Sequence, residues 1–283
     1  MNKKNQNWKI ISNNFDTLLS SENSVDVLKN GFLMLAIMGR FSTQQSGDEH
    51  AVLSVNRMKL EKERLKNEGK LRASKNLESI SENERPFEIP DSWCWVRLKD
   101  IVYLLGDGLH GTPVYTPKGE YFFVNGNNLQ DGKIVIKDGT KTVSAEEANK
   151  HKKDLNDRTM FVSINGTIGN VAFYNNEKII LGKSACYFNL GREFLKEYLK
   201  LVFDSPYFLS YANKSVSGTT IMNLSLFSMN NFPVPLPPLV EQSRIVQKVN
   251  EISAICEELK LQIGASNILQ RKVADALVEQ VLT

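Results

Sequence analysis

Four prolines crowd one short segment, Pro233, Pro235, Pro237 and Pro238, and none follows between there and Thr283. Each proline fixes its own φ at about −65° and pushes its predecessor out of helical space, so the segment must run extended. Immediately after it, apolar residues recur at Ile245, Val249, Ile252, Cys256, Leu259 and Ile263, in alternating steps of four and three. That spacing is the seam of a coiled coil. A compact domain therefore stops at the proline strap, and a helix made to pack on another helix begins. At 1.5 Å per residue, Val240 to Leu282 would extend about 63 Å. Gly264-Ala-Ser-Asn267 interrupts the seam and leaves Ser266 and Gln270 on it. This reads as a kink or a polar register-setting layer, with a continuous helix still open because a mid-helix glycine costs only about 1 kcal/mol.

Upstream, the pattern separates a helical region at 1–80, a globular region at 86–238 and the coiled-coil helix at 239–283. Val25, Leu28, Phe32 and Leu35 repeat at helical spacing, Gly39 supplies a stop, and Ala51 to Asn67 resumes a charged helix that ends near Gly69. From Trp93 onward, glycines and asparagines alternate with short β-rich runs at 121–124, 133–136, 159–164, 171–174 and 178–181. Helical patches fall at 145–153 and 195–214. The fold class expected is α+β: one mixed domain flanked by long helices.

The chain has 283 residues, 41% hydrophobic and 24% charged, which suits an ordinary globular protein. It has no long apolar run and no apolar signal core after Met1, so a cytoplasmic protein is expected. Cys94, Cys186 and Cys256 are scattered, match no zinc spacing and read as buried thiols. A net charge of +3 permits local nucleic-acid contact without demonstrating it. Basic residues crowd 57–75 (Arg57, Lys59, Lys62, Arg64, Lys66, Lys70, Arg72, Lys75), and with Glu61, Glu63 and Glu68 among them they read as a solvated helical face.

Three polar motifs are candidates for chemistry. Gly106-Asp-Gly-Leu-His-Gly-Thr-Pro113 gives a tight loop that presents His110 and Thr112, flanked by Gly108 and Gly111. Such groups can meet a phosphate or a base edge, or simply close a turn. In Phe161-Val-Ser-Ile-Asn-Gly-Thr-Ile-Gly-Asn-Val171, Gly166 and Gly169 make a turn between paired strands, with Asn165 at its start. Ser217-Gly-Thr-Thr220 gathers small hydroxyls around Gly218, which suits close approach to a polyanion or a helix cap.

Catalytic patterns are missing. No Asn/Asp-Pro-Pro-aromatic tetrad exists, which excludes an amino-methyltransferase site. Gly182-Lys183-Ser184 resembles the end of a phosphate-binding loop, but Glu177 stands where the first glycine belongs. Pro90-Asp91 lacks the partner carboxylate and lysine of a nuclease. His50, His110 and His151 have no companions at metal-ligand spacing, so no metal is expected.

Phe232-Pro233, then Pro-Leu-Pro-Pro-Leu-x-Glu-Gln-x-Arg-Ile-Val from Pro235 to Val246, resembles the join between recognition domain and conserved helix in the specificity subunits of type I restriction–modification systems. The segment from Arg85 to Leu98, with Pro86-Phe-Glu-Ile-Pro90 and Trp93-Cys-Trp95, resembles the opening of such a domain. The Asp-Gly-x-His-x-Thr-Pro string, the Gly-Thr-Ile-Gly turn and Ser-Gly-Thr-Thr are similar too. The resemblance runs from about Asp26 to the end of the chain. It implies a non-catalytic subunit that reads double-stranded DNA through Gly108, His110, Gly111, Thr112, Asn165, Lys183, Ser217, Gly218, Thr219 and Thr220. It implies docking to a methyltransferase subunit, which would carry S-adenosylmethionine, and to a restriction subunit. Family members usually hold two recognition domains and this chain holds one, so self-association or a second half-subunit is implied; the row Ile245, Val249, Ile252, Cys256, Leu259 and Ile263 is expected to pack antiparallel on a second helix, from another copy or from the N-terminal helices. The competing expectation is a helical protein–protein adaptor that never touches DNA.

Overall fold

The computed structural model describes residues 19–71, 80–215 and 222–282, and these divide into two compact units. One takes its described residues from 19–33 and 247–282, the other from 34–246.

The first unit is built from helix α1 (Glu22–Ile37) and the later part of the long carboxy-terminal helix (Leu239–Leu282). Gly264 does not break that helix. Asp26 pairs with Lys260 at 2.5 Å and Lys29 with Glu257 at 2.9 Å, while Glu22 lies beside Gly264. Rising numbers on one helix meet falling numbers on the other, so the two run antiparallel. On the seam, Val249 and Cys256 are buried and Ile252, Leu259 and Ile263 half-buried, whereas Ser266 and Gln270 are exposed. The expected stripe on α1 is displaced. Val25 is buried and Leu28 and Phe32 are half-buried, but Leu35 is exposed, and Leu33, Ala36 and Ile37 are buried instead.

The second unit holds the rest. Gly39, with a φ of 68°, closes α1 as its backbone N–H reaches the Ala36 carbonyl. Helix α2 (Ala51–Asn67) buries Ala51, Val55 and Met58, and its charged side carries Arg64 between Glu61 and Glu68. Lys62 departs from the solvated reading: its ammonium reaches the main-chain carbonyls of Lys99 and Asp100. Arg72 and Lys75 lie outside the described residues.

Strand β1 (Cys94–Arg97), helix α3 (Leu98–Ile101) and strand β2 (Val102–Asp107) open the globule. There follow β3 (Tyr121–Val124), β4 (Leu129–Gln130), β5 (Lys133–Ile134), β6 (Thr142–Val143), α4 (Ala145–Lys150), β7 (Thr159–Ser163), β8 (Val171–Phe173), β9 (Ile179–Leu181) and β10 (Ala185–Leu190). An antiparallel sheet runs β2-β10-β7-β8, and a mixed one runs β6-β3-β9. Val124, Ile179 and Leu181 from the second share a core with Phe161, Ala172, Ala185 and Tyr187 from the first. Cys186 is fully buried in β10, and burial pushes its thiol up to about 12.

The helical patch expected at 195–214 is two helices, α5 (Lys196–Asp204) and α6 (Pro206–Ser215). Pro206 forces Ser205 to an extended ψ of 151°, which breaks the run. Helix α7 (Leu226–Asn231) leads to β11 (Pro233–Leu236) and then α8 (Leu239–Leu282). The proline strap is thus a true strand, paired antiparallel with β1 from Cys94↔Leu236 to Arg97↔Pro233. Prolines donate nothing, but their carbonyls still need partners: Tyr198 donates to Pro235 and Tyr207 to Pro233, both at 2.7 Å. Phe232, fully buried just before the strap, is ringed by Phe203, Tyr207, Phe208 and Tyr211 at 4.9–5.8 Å between ring centres. Among the described residues no helix is long and apolar enough to cross a membrane.

Candidate nucleic-acid interface

Register alone brings the candidate loops together. In the antiparallel sheet, Asp107 at the end of β2 sits opposite Cys186 near the start of β10, and Ser163 at the end of β7 sits opposite Ala185. The segments 108–112, 182–184 and 164–170 therefore leave the same end of the sheet. A fourth joins them, because β3 runs parallel to β9 and ends at Val124 opposite Leu181.

Glycines allow these segments to interlock. A Cβ on Gly108 would come within 2.3 Å of the Gly182 carbonyl oxygen, and one on Gly182 within 2.2 Å of Asn125 Oδ1. Leu109 bridges Gly182, and Lys183 N–H donates to the Leu109 carbonyl at 3.0 Å. Ser184 Oγ accepts from the Gly126 N–H at 2.8 Å, and the Ser184 carbonyl accepts from the Ile164 N–H at 2.9 Å.

On this frame His110, Gly111, Thr112 and Lys183 are exposed, Asn165 is half-exposed and Gly108 is buried. Gly108 is thus a packing position between two loops, and the polar tips around it reach solvent. His110 Nε2 lies 2.5 Å from Asp107 Oδ2, which fixes the ring over the end of β2. The 164–170 loop is a tight turn in which Gly166 and Gly169 have φ of 76° and 100°. Asn165 bridges Asn223, the Gly166 N–H donates to Met222 and the Leu224 N–H to Ile164. Ser217, Gly218, Thr219 and Thr220 themselves lie outside the described residues.

The segment after Thr112 is pinned from behind. Ser144 caps α4 by accepting from the Glu147 N–H at 3.2 Å. Glu147 in turn accepts from the Val114 N–H at 2.9 Å and from Lys150, which holds its carboxyl below the usual range. Asn125 and Asn127 carry no signal of a site in the sequence, and Ser184 and Asn170 stood in quoted motifs without a role at the site. Asparagine beside glycine reads as turn chemistry, and only the strand order shows that these turns meet.

The apolar seam of α8 is a separate matter. Ile245 is buried within the 34–246 unit, whereas Val249 to Ile263 belong to the helical one.

Residues 90–265 match the family described as the type I restriction modification DNA specificity domain. Two specificity subunits from Escherichia coli align with 98% of this chain: that of the type I restriction enzyme EcoAI at 30% identity over 285 residues, and that of EcoEI at 27% over 287. In both cases the alignment takes up 48% of the relative, so the chain spans about half the length of these proteins. Among solved structures, a chain from a type I R-M system studied for its assembly and conformational transition superposes with a TM-score of 0.53 at 17% identity, over 91% of this chain and 57% of that one. The HsdS subunit from Thermoanaerobacter tengcongensis gives 0.51 at 15%, over 89% and 67% respectively. These two likenesses speak to the fold, and the family match covers most of the recognition domain, the strap and the start of α8. The chain belongs to the type I restriction–modification DNA specificity family.

Proposed function

We propose that this chain reads one half of a bipartite double-stranded DNA site and docks a methyltransferase subunit, and a restriction subunit, without catalysing either reaction. The observation that carries the reading is the convergence of four polar loops at one end of the sheet, in a member of a DNA specificity family. His110, Thr112, Asn165 and Lys183 offer donors, acceptors and a positive charge there. Phosphate contacts set affinity and register, and one or two side chains discriminate bases. Methyl transfer then belongs to the partner subunit, with S-adenosylmethionine bound there. The described residues hold one recognition domain, and the chain spans about 48% of the length of these relatives. A second copy, or a second half-subunit, completes the site.

The test is a mobility-shift assay with the cognate methyltransferase subunit present. Specific retardation that weakens steeply with salt is expected. Thr112→Ala should weaken it with the fold intact, by about 1–3 kcal/mol if the hydroxyl meets a base. A complex that forms between the protein subunits and ignores DNA would return the chain to the adaptor class.

A further inference from the structure

We propose that Asn127 is a base-reading residue of the DNA interface, its amide aimed at an adenine edge. The inference rests on the DNA-reading function above and adds a specificity determinant to it.

Asn127 stands at the centre of the converging loops. It is the middle residue of a short 3₁₀ turn, Gly126–Asn128, at the end of β3. Gly126 on one side donates its N–H to Ser184 Oγ at 2.8 Å, accepts from Asn170 Nδ2 at 3.5 Å and presses on Ser163 so closely that a Cβ would come within 2.8 Å of it. Asn128 on the other side is buried, its amide accepting from the Asn125 N–H and donating to the Val135 carbonyl. Lys137 Nζ donates to the carbonyl of Asn127 itself at 2.6 Å. The backbone is therefore held by the loops that carry Lys183 and Asn165 and by the 135–137 segment.

Its side chain is treated differently from its neighbours. The amides of Asn125, Asn128, Asn165 and Asn170 all hydrogen-bond within the protein. That of Asn127 is exposed and has no hydrogen bond among the described residues. An exposed amide on a fixed backbone has only two side-chain torsions left to order, so little entropy opposes its use. One face of a primary amide offers a donor and an acceptor at the spacing of adenine N6 and N7, a pairing that distinguishes adenine from the other bases. Lys137, fixed to the same residue, and exposed Lys183 in the adjoining turn place positive charge beside it for the flanking phosphates.

The experiment maps methylated sites in cells that express the chain with its cognate methyltransferase subunit. The wild-type protein should give a defined motif. Asn127→Ala should keep the complex active and make one adenine position of that motif degenerate, with about a tenfold or greater loss of preference there. Asn127→Asp, which can only accept, should move the preference at that position towards cytosine. Both variants should melt with the wild type, since nothing inside the protein uses the side chain. Asn125→Ala, which loses the bond to Ser184, should instead weaken recognition at every position. A wild-type motif unchanged in Asn127→Ala and Asn127→Asp overturns this proposal and leaves the DNA-reading function standing. Methylation by the wild-type complex with no sequence restriction overturns both.

Discussion

Glu241 is a fully buried carboxylate that collects its neighbours. One oxygen accepts from Ser42 Oγ at 2.6 Å and Gln44 Nε2 at 2.7 Å, the other from Trp93 Nε1 at 2.9 Å. Next to it, Gln242 accepts from the Leu195 N–H and donates to the Pro237 carbonyl, and Arg244 pairs with Asp48. The Glu-Gln-x-Arg string after the strap is thus explained by packing: it ties the 42–48 loop, the Trp93 region and α5 to the first turn of α8. Glu241→Ala leaves the buried Trp93 indole N–H without an acceptor, worth about 1–3 kcal/mol, while Ser42 and exposed Gln44 can turn to water. The expected loss is about 1–3 kcal/mol, read as a lower urea midpoint with an unchanged slope. A loss below about 1 kcal/mol would show the indole finding water. Lys62 gives a pH signature. Burial pushes its pKa down to about 8, with Asp100 opposing. An unfolded lysine keeps its proton to about pH 10.4. Between those values the unfolded chain binds more protons, so stability rises with pH from about 8 to about 10 and the penalty is fully present below 8. Lys62→Met cannot titrate, and its stability should climb less over that window. Parallel curves would mean that Lys62 is hydrated.

Among the elements, the antiparallel pair of α1 and α8 sets apolar burial against ion pairing. Lys29–Glu257 and Lys260–Asp26 are partly exposed and worth about 1 kcal/mol each, whereas a charge placed at a buried seam position costs several times that. Val249→Asp should therefore abolish slow amide exchange in α8 beyond Gln247, while Lys29→Ala leaves it nearly unchanged. The reverse order would make the ion pairs the principal support. These elements were also unequally legible in the sequence. The strap announced itself because proline restricts backbone directly, and the turn at Gly166 and Gly169 because its left-handed residues must be glycine. Strand β10 did not, since all six residues are buried and no alternation marks it. Strand β2, with Val-Tyr-Leu-Leu, and β1, beside a tryptophan pair, likewise carry no period-two signal. The stripe of α1 slipped from Leu35 to Leu33 because periodicity gives a helix face only to within a residue or so. Of the three polar motifs, 106–113 and 161–171 fall at the proposed reading end, and 217–220 lies outside the described residues. The assembly of that end was not legible, because it depends on the order β2-β10-β7 and on the parallel β3–β9 pair, which no local pattern encodes.

For the whole molecule, a net charge of +3 spread over 283 residues gives weak general attraction to DNA. Affinity in the proposed function must then come from charges concentrated at the reading end and from doubling the number of sites. In the proposed function a single recognition domain contacts one half-site, and joining two through their helices would make the second contact effectively intramolecular. If the second domain comes from another copy of this chain, a two-fold axis relates the two reading ends. Each must meet the same bases in opposite orientation, so the recognised sequence is a palindrome with an unread gap between its halves. If it comes from a different half-subunit, the two halves of the motif are unrelated. Methylome sequencing of cells that carry only this chain and its methyltransferase subunit separates the cases. The homodimer predicts a gapped palindrome, with each half methylated on opposite strands, and a dimer mass in analytical ultracentrifugation. An asymmetric bipartite motif would exclude the homodimer and require a second half-subunit. A short contiguous motif would exclude both arrangements.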